Sequence, residues 1–139
     1  MVDDDYTIQK LRFNRILFGA APSQFLLNAV IRKHALTFQE TDPTFTEIVN
    51  RGFYVDDLNT SLNNSAEAIE FYKKCNSRFA DASFDVRKWR TNDPVLAKLM
   101  REEGATLENL ENGKVLGIPW YENEDMLVIR LCDSIPDID

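Results

Sequence analysis

Two adjacent aspartates, Asp56 and Asp57, are the residues of this chain best suited to chemistry. They follow an apolar and aromatic run at 53–55 and precede Leu58, a pattern that predicts a strand, a tight turn and a second strand. The two carboxylates repel each other, and a divalent cation such as Mg²⁺ offsets this repulsion because it prefers carboxylate and phosphate oxygens. The run therefore indicates a phosphoryl- or nucleotidyl-transfer site, although aspartate is also common in turns without any chemical role.

Length and composition predict one soluble globular domain. The chain has 139 residues, of which 44% are hydrophobic and 28% charged, which is ordinary for a chain that buries a core. No apolar run approaches the roughly 18 to 20 residues that a membrane span needs. The start of the chain is acidic, unlike a secretory or mitochondrial leader. We therefore expect an intracellular, cytoplasmic protein with no membrane partner.

Cysteine, histidine and net charge exclude several function classes. Cys75 and Cys132 lie far apart and outside metal-ligand spacing, so we interpret them as reduced thiols. His34 is the only histidine, which argues against a zinc site and a Ser-His-Asp triad. The net charge of −7 argues against a general nucleic-acid binder. Basic clusters at 73–78 and 87–90 remain open to two interpretations, as solvated faces or as a groove that follows a nucleic-acid backbone.

Helical and strand patterns alternate irregularly along the chain, which favours the α+β class. Ser23 is a good N-cap for a helix to about Leu36. Residues 37–50 are polar and include Pro43, which predicts a loop with a helical turn around Phe45 to Val49. A helix that begins near Asn64 or Ser65 would bury one stripe of side chains. That stripe is Ala66, Ile69, Tyr72, Cys75 and Phe79. The other predicted elements are strands at 84–89, 114–120 and 126–131, and a helix at 95–103 capped by Asp93 or Asn92.

A calcium loop is a second metal hypothesis for the same region. Polar residues alternate from Asp57 to Asn63, as they do among the ligands of such a loop. Leu62 occupies the position where a calcium loop requires Gly for a sharp turn, and Ala68 the position where it requires Glu as a bidentate ligand. The pattern therefore lacks the two residues that such a loop needs most.

Four segments in order resemble the palm region of a reverse transcriptase. They are Phe18-Gly19 with the helix that follows, residues 53–57, residues 84–88 and residues 115–120. The likeness is closest to the BEL/Pao group of long-terminal-repeat retrotransposons, and it extends from about Tyr6 to Leu131. The segments that look like this group in particular are 12–19, 25–29, 53–58, 87–89 and 114–117.

The resemblance implies a fold and a domain organisation. The chain would be a single partial reverse-transcriptase domain over 1–139, with the palm at about 6–105. The palm would combine an antiparallel sheet, a catalytic β-hairpin and packed helices. A hairpin that grips the primer, with the start of the thumb, would occupy about 106–133.

The resemblance also implies roles for individual residues. Asp56 would coordinate two Mg²⁺ ions, Asp57 would support them, and Lys88 would protonate the departing pyrophosphate. Lys88 is equally consistent with a solvated strand residue. For Trp120, which follows Pro119, the pattern favours a core residue over a primer contact. The remaining matches are Phe18, Gly19 and Ser23 with the nucleotide site, Tyr54 and Val55 with the primer end, Phe25 with the template, and Leu116, Gly117 and Trp120 with the primer grip.

The function implied is that of an RNA-directed DNA polymerase that uses two-metal nucleotidyl transfer. Its partners would be a primer-template, deoxynucleotides and the remainder of a polyprotein. In the family, the first catalytic aspartate lies well upstream of the Phe-Gly segment. Asp3–Asp5 lie closer to Phe18 than the family places that aspartate. We therefore expect a fragment that lacks this aspartate and the fingers and is inactive alone. The alternative is a non-catalytic retroelement remnant, or a repurposed interaction domain that keeps the palm fold.

Overall fold

The computed structural model describes residues 19–106 and 114–129. Over these residues the chain forms four helices and five short strands, which confirms the predicted α+β class. The helices are α1 (Ser23–Leu36), α2 (Pro43–Gly52), α3 (Ser65–Asp81) and α4 (Pro94–Glu102). The strands are β1 (Phe53–Tyr54), β2 (Asp57–Leu58), β3 (Lys114–Val115), β4 (Ile118–Tyr121) and β5 (Met126–Leu127). The chain divides into two compact units, Met1–Ser61 and Leu62–Asp139.

The first unit has a core between α1 and α2. Ile31 and Ala35 of α1 and Phe45 and Val49 of α2 are buried, because both helices turn apolar side chains toward each other. Thr46 is buried with them, and its hydroxyl donates to the carbonyl of Ala35 at 2.9 Å. This bond satisfies a polar group that burial would otherwise penalise.

Helix α2 includes the helical turn predicted around Phe45 to Val49 and extends it in both directions, so it replaces most of the loop predicted for residues 37–50. Asp42 is its N-cap, and the carboxylate accepts from the backbone N–H of Phe45 at 3.0 Å. Pro43 follows at the first helical position, where its fixed φ and missing N–H are no disadvantage. The predicted cap of α1 is also wrong, since Pro22 is the N-cap residue and Ser23 already belongs to the helix.

Helices α3 and α4 form the core of the second unit. Tyr72 of α3 packs with Leu96 and Met100 of α4, and Trp89 meets Tyr72 edge-on with ring centroids 4.8 Å apart. The predicted start of α3 is confirmed: Asn64 accepts from the N–H of Glu67 at 3.0 Å. The predicted stripe is right at Tyr72, Cys75 and Phe79, whereas Ala66 is exposed, Ile69 is half-buried, and Phe71 is buried instead.

The predicted strand at 84–89 is not formed. Only a single bridge occurs there, in which the N–H of Trp89 donates to the carbonyl of Thr106 at 3.1 Å. Ser83 and Lys88 have φ of 61° and 58°, which interrupts the extended backbone that a strand requires. The predicted helix that follows is present, with Asp93 as its cap.

Strands β3, β4 and β5 form an antiparallel meander. Val115 pairs with Ile118, so the single strand predicted for 114–120 is instead a hairpin. Leu116 and Gly117 make its turn with φ of 52° and 85°, and positive φ at both positions is the geometry of a tight type I′ hairpin. Within the described ranges, no helix is both long and apolar enough to cross a membrane.

Candidate metal and nucleotide site

Asp56 and Asp57 lie on a two-residue β-hairpin, as the sequence predicts. Strands β1 and β2 pair antiparallel, with Phe53 opposite Leu58 and Tyr54 opposite Asp57. Val55 and Asp56 are therefore the turn, and Asp57 begins the second strand. Phe53 is buried and anchors the hairpin, whereas both aspartates are exposed to solvent.

The base of the hairpin requires a glycine. Gly52 ends α2, and its carbonyl accepts from the N–H of Asn59 at 2.9 Å. A Cβ atom at Gly52 would lie 2.2 Å from the carbonyl oxygen of Asn59, which no side chain can accommodate without moving the backbone. The close approach joins helix and hairpin directly, so the position of the two aspartates depends on α2.

Val55 gives the turn an unusual backbone. Its φ is 56°, a conformation that a β-branched residue rarely adopts. Such strain typically costs about 1–3 kcal/mol. The carbonyl of Val55 accepts a long hydrogen bond, 3.4 Å, from the side-chain amide of Asn28 in α1. Helix α1 thus contacts the turn that carries Asp56.

The two aspartates suit one divalent ion better than two. Mg²⁺ takes six oxygen ligands and commonly keeps several waters or substrate phosphates among them. Over residues 19–106 and 114–129, no group of three or more acidic, cysteine or histidine side chains is arranged to hold a metal. An ion held by Asp56 and Asp57 would therefore take its other ligands from water and phosphate oxygens.

Asn63, the last polar residue of the calcium-loop hypothesis, bonds at the start of α3 instead. The side-chain amide of Asn63 donates to Glu67 at 3.0 Å, and its backbone N–H donates to the same carboxylate at 3.3 Å. With the Asn64 cap, these bonds satisfy N–H groups before and within the first turn of α3. The alternation from Asp57 to Asn63 thus ends in a helix cap.

The nucleotide and template residues implied by the resemblance lie at the start of α1. Gly19 is exposed with a φ of 83°, Ser23 is half-buried, and the side chain of Phe25 is 74% exposed. Phe18 lies outside the described residues. These positions belong to the same unit as Asp56 and Asp57.

Lys88 and the primer-grip residues belong to the second unit. Lys88 is exposed in an irregular segment, so its predicted place on a strand is wrong, although its side chain is accessible. Leu116 and Gly117 form the exposed turn between β3 and β4. Trp120 is half-buried in β4, intermediate between the core and contact interpretations.

Arg90 contacts Trp120 and pairs with Glu122, and sequence reasoning missed both. The Nε of Arg90 donates to Oε1 of Glu122, and its Nη2 donates to the carbonyl of Trp120 at 3.1 Å. The guanidinium carbon lies 5.2 Å from the centroid of the Trp120 ring. No spacing rule links residues that are 32 positions apart, so only the fold could bring them together.

Three titratable groups of the second unit have shifted pKa values. A hydrogen bond from the Ser65 hydroxyl, supported by the N–H groups of Leu96 and Val95, lowers the pKa of Asp93. Burial raises the pKa of the Cys75 thiol to about 12 and also raises the pKa of Tyr72. Asp93 is a helix cap and Tyr72 and Cys75 are core residues, so these shifts follow from structural roles.

No protein-family model, curated protein or solved structure matches this chain. The resemblance to reverse transcriptases therefore rests on the ordered sequence segments alone.

Proposed function

We propose that this chain is part of the palm of an RNA-directed DNA polymerase from a BEL/Pao-like retrotransposon. The observation that carries the proposal is the exposed Asp56-Asp57 pair on a tight β-hairpin that directly follows α2. Adjacent carboxylates repel each other, and a bound cation removes this cost. The palm-like organisation at about 6–105 and the primer grip at about 106–133 are parts of the same proposal.

The hairpin would hold the metal beside the reacting groups. When bound, Mg²⁺ supplies charge stabilisation at the transferred phosphate and activates the primer hydroxyl. Asp56 and Asp57 bind the ion, while Tyr54 and Val55, on the same hairpin, flank the primer end. The close Gly52–Asn59 contact fixes the hairpin on α2. Because positioning supplies much of the rate in such reactions, a rigid attachment suits this role.

Residues away from the hairpin would bind the nucleic acid and the nucleotide. Gly19 and Ser23, with Phe18, would line the nucleotide pocket, and exposed Phe25 would lie beneath the template. Exposed Lys88 suits a proton donor to pyrophosphate because its ammonium group is accessible. The remaining proposed contacts are those of the primer grip: Leu116, Gly117 and Trp120.

We expect residues 1–139 alone to be inactive. The described residues offer two carboxylates and no third ligand beside them, whereas the two-metal reaction needs several carboxylates in one place. We expect Asp56 and Asp57 to bind at most one ion, and to bind it weakly. Activity would require a further carboxylate and the fingers, so the partners of this chain would be the remainder of a polyprotein, a primer-template and deoxynucleotides.

A non-catalytic interaction domain is the second candidate, and the meander favours it. Large apolar side chains there are 47–72% exposed: Leu116, Tyr121, Met126, Leu127 and Ile129. Exposed apolar side chains gathered on one small sheet are typical of a surface that another protein covers. Either the rest of a polymerase or a separate partner protein could cover this apolar surface. Primer-extension activity therefore decides between the two candidate functions.

The test is a primer-extension assay on an RNA template with Mg²⁺ or Mn²⁺. Three proteins are compared. They are residues 1–139, the same residues joined to the fingers and first-aspartate strand of a BEL/Pao reverse transcriptase, and that longer chain with Asp56→Asn. We expect extension only from the longer chain with Asp56 intact, because Asn keeps the shape of the side chain and removes its charge.

Asp85→Asn in the longer chain is the matched control, because Asp85 is also an exposed aspartate but pairs with Arg87. It should leave extension unchanged. Undiminished extension by the Asp56→Asn chain would exclude the hairpin as the catalytic centre. Robust extension by residues 1–139 alone would show that no further carboxylate is needed.

A further inference from the structure

Arg90 and Glu122 form a buried ion pair to which the proposed function assigns no role. The side chains are only 9% and 7% exposed, and Nε of Arg90 lies 2.5 Å from Oε1 of Glu122. Each residue comes from a different part of the second unit: Arg90 precedes α4, and Glu122 follows β4. The pair therefore ties the segment before α4 to the meander.

Stability alone does not explain this pair. Removing two charges from water costs several kcal/mol per ion, so apolar residues of similar volume often give equal or greater stability. Moreover, Nη1 of Arg90 is buried and has no hydrogen-bond partner among the described residues, and an unpaired buried donor costs about 1–3 kcal/mol. The contacts of Arg90 point to a role other than net stability.

The geometry of Arg90 converges on Trp120. One nitrogen holds the backbone carbonyl of Trp120, a second holds Glu122 two residues further along, and the guanidinium lies against the indole ring. Asp125 accepts from the indole N–H at 3.1 Å. Backbone, ring plane and ring edge of Trp120 are thus each fixed by a separate contact. A planar guanidinium can make the first three contacts together, whereas a lysine ammonium cannot.

We propose that Arg90 is a positioning residue that sets the orientation of Trp120 on strand β4. The inference rests on the proposed function in one respect, that Trp120 contacts the primer. It adds a residue that the sequence resemblance does not include: Arg90 would hold the indole ready for nucleic acid, so that no ordering of this side chain is needed on binding.

The experiment uses ¹⁹F NMR of the full chain labelled with 5-fluorotryptophan. The chain has two tryptophans, so Trp120 reports its own orientation while Trp89, which packs against Tyr72 in the core, reports folding. The variants are Arg90→Lys, which keeps the charge, and Arg90→Met, which removes it. Arg87→Lys is the matched control, because Arg87 is exposed and pairs with exposed Asp85.

In both Arg90 variants we expect the Trp120 resonance to move toward the position of free 5-fluorotryptophan and to narrow, while the Trp89 resonance stays in place. Arg87→Lys should change neither. An unchanged Trp120 resonance in Arg90→Lys would overturn the proposal. Movement of both resonances to the free position in Arg90→Lys would overturn it too, since Arg90 would then hold the whole fold.

Adding a primer-template to the unsubstituted chain separates this inference from the proposed function. If Trp120 contacts the primer, its resonance shifts on addition and that of Trp89 does not. If the Trp120 resonance does not shift when nucleic acid is added but does move in Arg90→Lys, the primer-grip role of Trp120 is contradicted and the positioning role of Arg90 is supported.

Discussion

At the scale of single residues, the turn of the aspartate hairpin combines strain with charge. Val55 has positive φ although it is β-branched, and the next two residues are the exposed aspartates. The hydrogen bond from Asn28 to the Val55 carbonyl and the tight Gly52–Asn59 contact hold this turn in place. Strained backbone often marks a functional site when its surroundings enforce it, which accords with the role proposed for Asp56.

Replacement of Val55 by glycine should therefore stabilise the chain. Relief of about 1–3 kcal/mol of backbone strain outweighs the roughly 0.4–1 kcal/mol that glycine costs through the unfolded state, so we expect a gain of about 1 kcal/mol in the free energy of unfolding. Urea unfolding followed by circular dichroism measures it. Val115→Gly, in β3 without positive φ, is the control and should destabilise. A comparable loss of stability at both positions would show that the turn is unstrained.

At the scale of elements, capping residues decide where the helices begin. Asp93 accepts from the N–H groups of Val95 and Leu96, both at 2.8 Å, and accepts a further bond from the hydroxyl of Ser65. Ser65 is the first residue of α3 and Asp93 caps α4, so one carboxylate joins the N-terminal ends of two helices. A charged cap is also favoured by the positive end of the helix dipole.

These contacts predict a pH-dependent contribution from Asp93. The Ser65 hydroxyl and the two backbone N–H groups lower its pKa below the ordinary 3.8. A lowered pKa stabilises the fold above 3.8, and this stabilisation disappears as the pH falls through the folded-state pKa. The difference in unfolding free energy between the natural chain and Asp93→Asn should therefore be present at neutral pH and vanish in acid.

Ser65→Ala is the control for that measurement, because it removes the largest cause of the shift. The pKa of Asp93, followed by NMR titration of its carboxyl carbon, should rise toward its ordinary value in this variant. An Asp93→Asn difference that persists unchanged into strong acid would show that the carboxylate charge contributes nothing to stability.

Local chemistry explains which elements the sequence could predict. The α3 cap, the Asp93 cap and the aspartate hairpin follow from short-range patterns, and all three are present. Helix α2 was predicted only as a helical turn around Phe45 to Val49, because its polar residues outweighed the Asp42-Pro43 start signal. The strand expected at 84–89 fails because alternation alone does not reveal positive φ at Lys88. Arg90 and Glu122 meet only through the tertiary fold.

At the scale of the whole molecule, each of the two compact units has its own buried residues. Ala35, Phe45 and Val49 are buried in the first, and Tyr72, Cys75 and Met100 in the second. The proposed metal ligands lie in the first unit, and Lys88 and the primer-grip residues lie in the second. The stability of each unit is therefore a separate question.

Cys75 reports on the second unit. Burial raises the pKa of its thiol to about 12, and only the thiolate reacts with alkylating agents. In a Cys132→Ser chain at pH 8, we expect native Cys75 to react with iodoacetamide about 10³-fold more slowly than an unfolded thiol. Mass spectrometry across a urea series measures this. Rapid labelling without urea would show that α3 opens readily in the native chain.

The central claim is that Asp56 and Asp57 form the metal-holding part of a nucleotidyl-transfer site. The most direct measurement is the paramagnetic broadening of backbone amide signals by Mn²⁺ in the ¹⁵N-labelled chain. Glu102 and Glu103, another pair of adjacent exposed carboxylates, provide an internal control at the end of α4. We predict that signals of residues 54–58 broaden at lower Mn²⁺ concentration than those of Glu102 and Glu103, and that Asp56→Asn abolishes this difference. Equal broadening at both acidic pairs, or preferential broadening at the hairpin that persists in Asp56→Asn, would contradict the account.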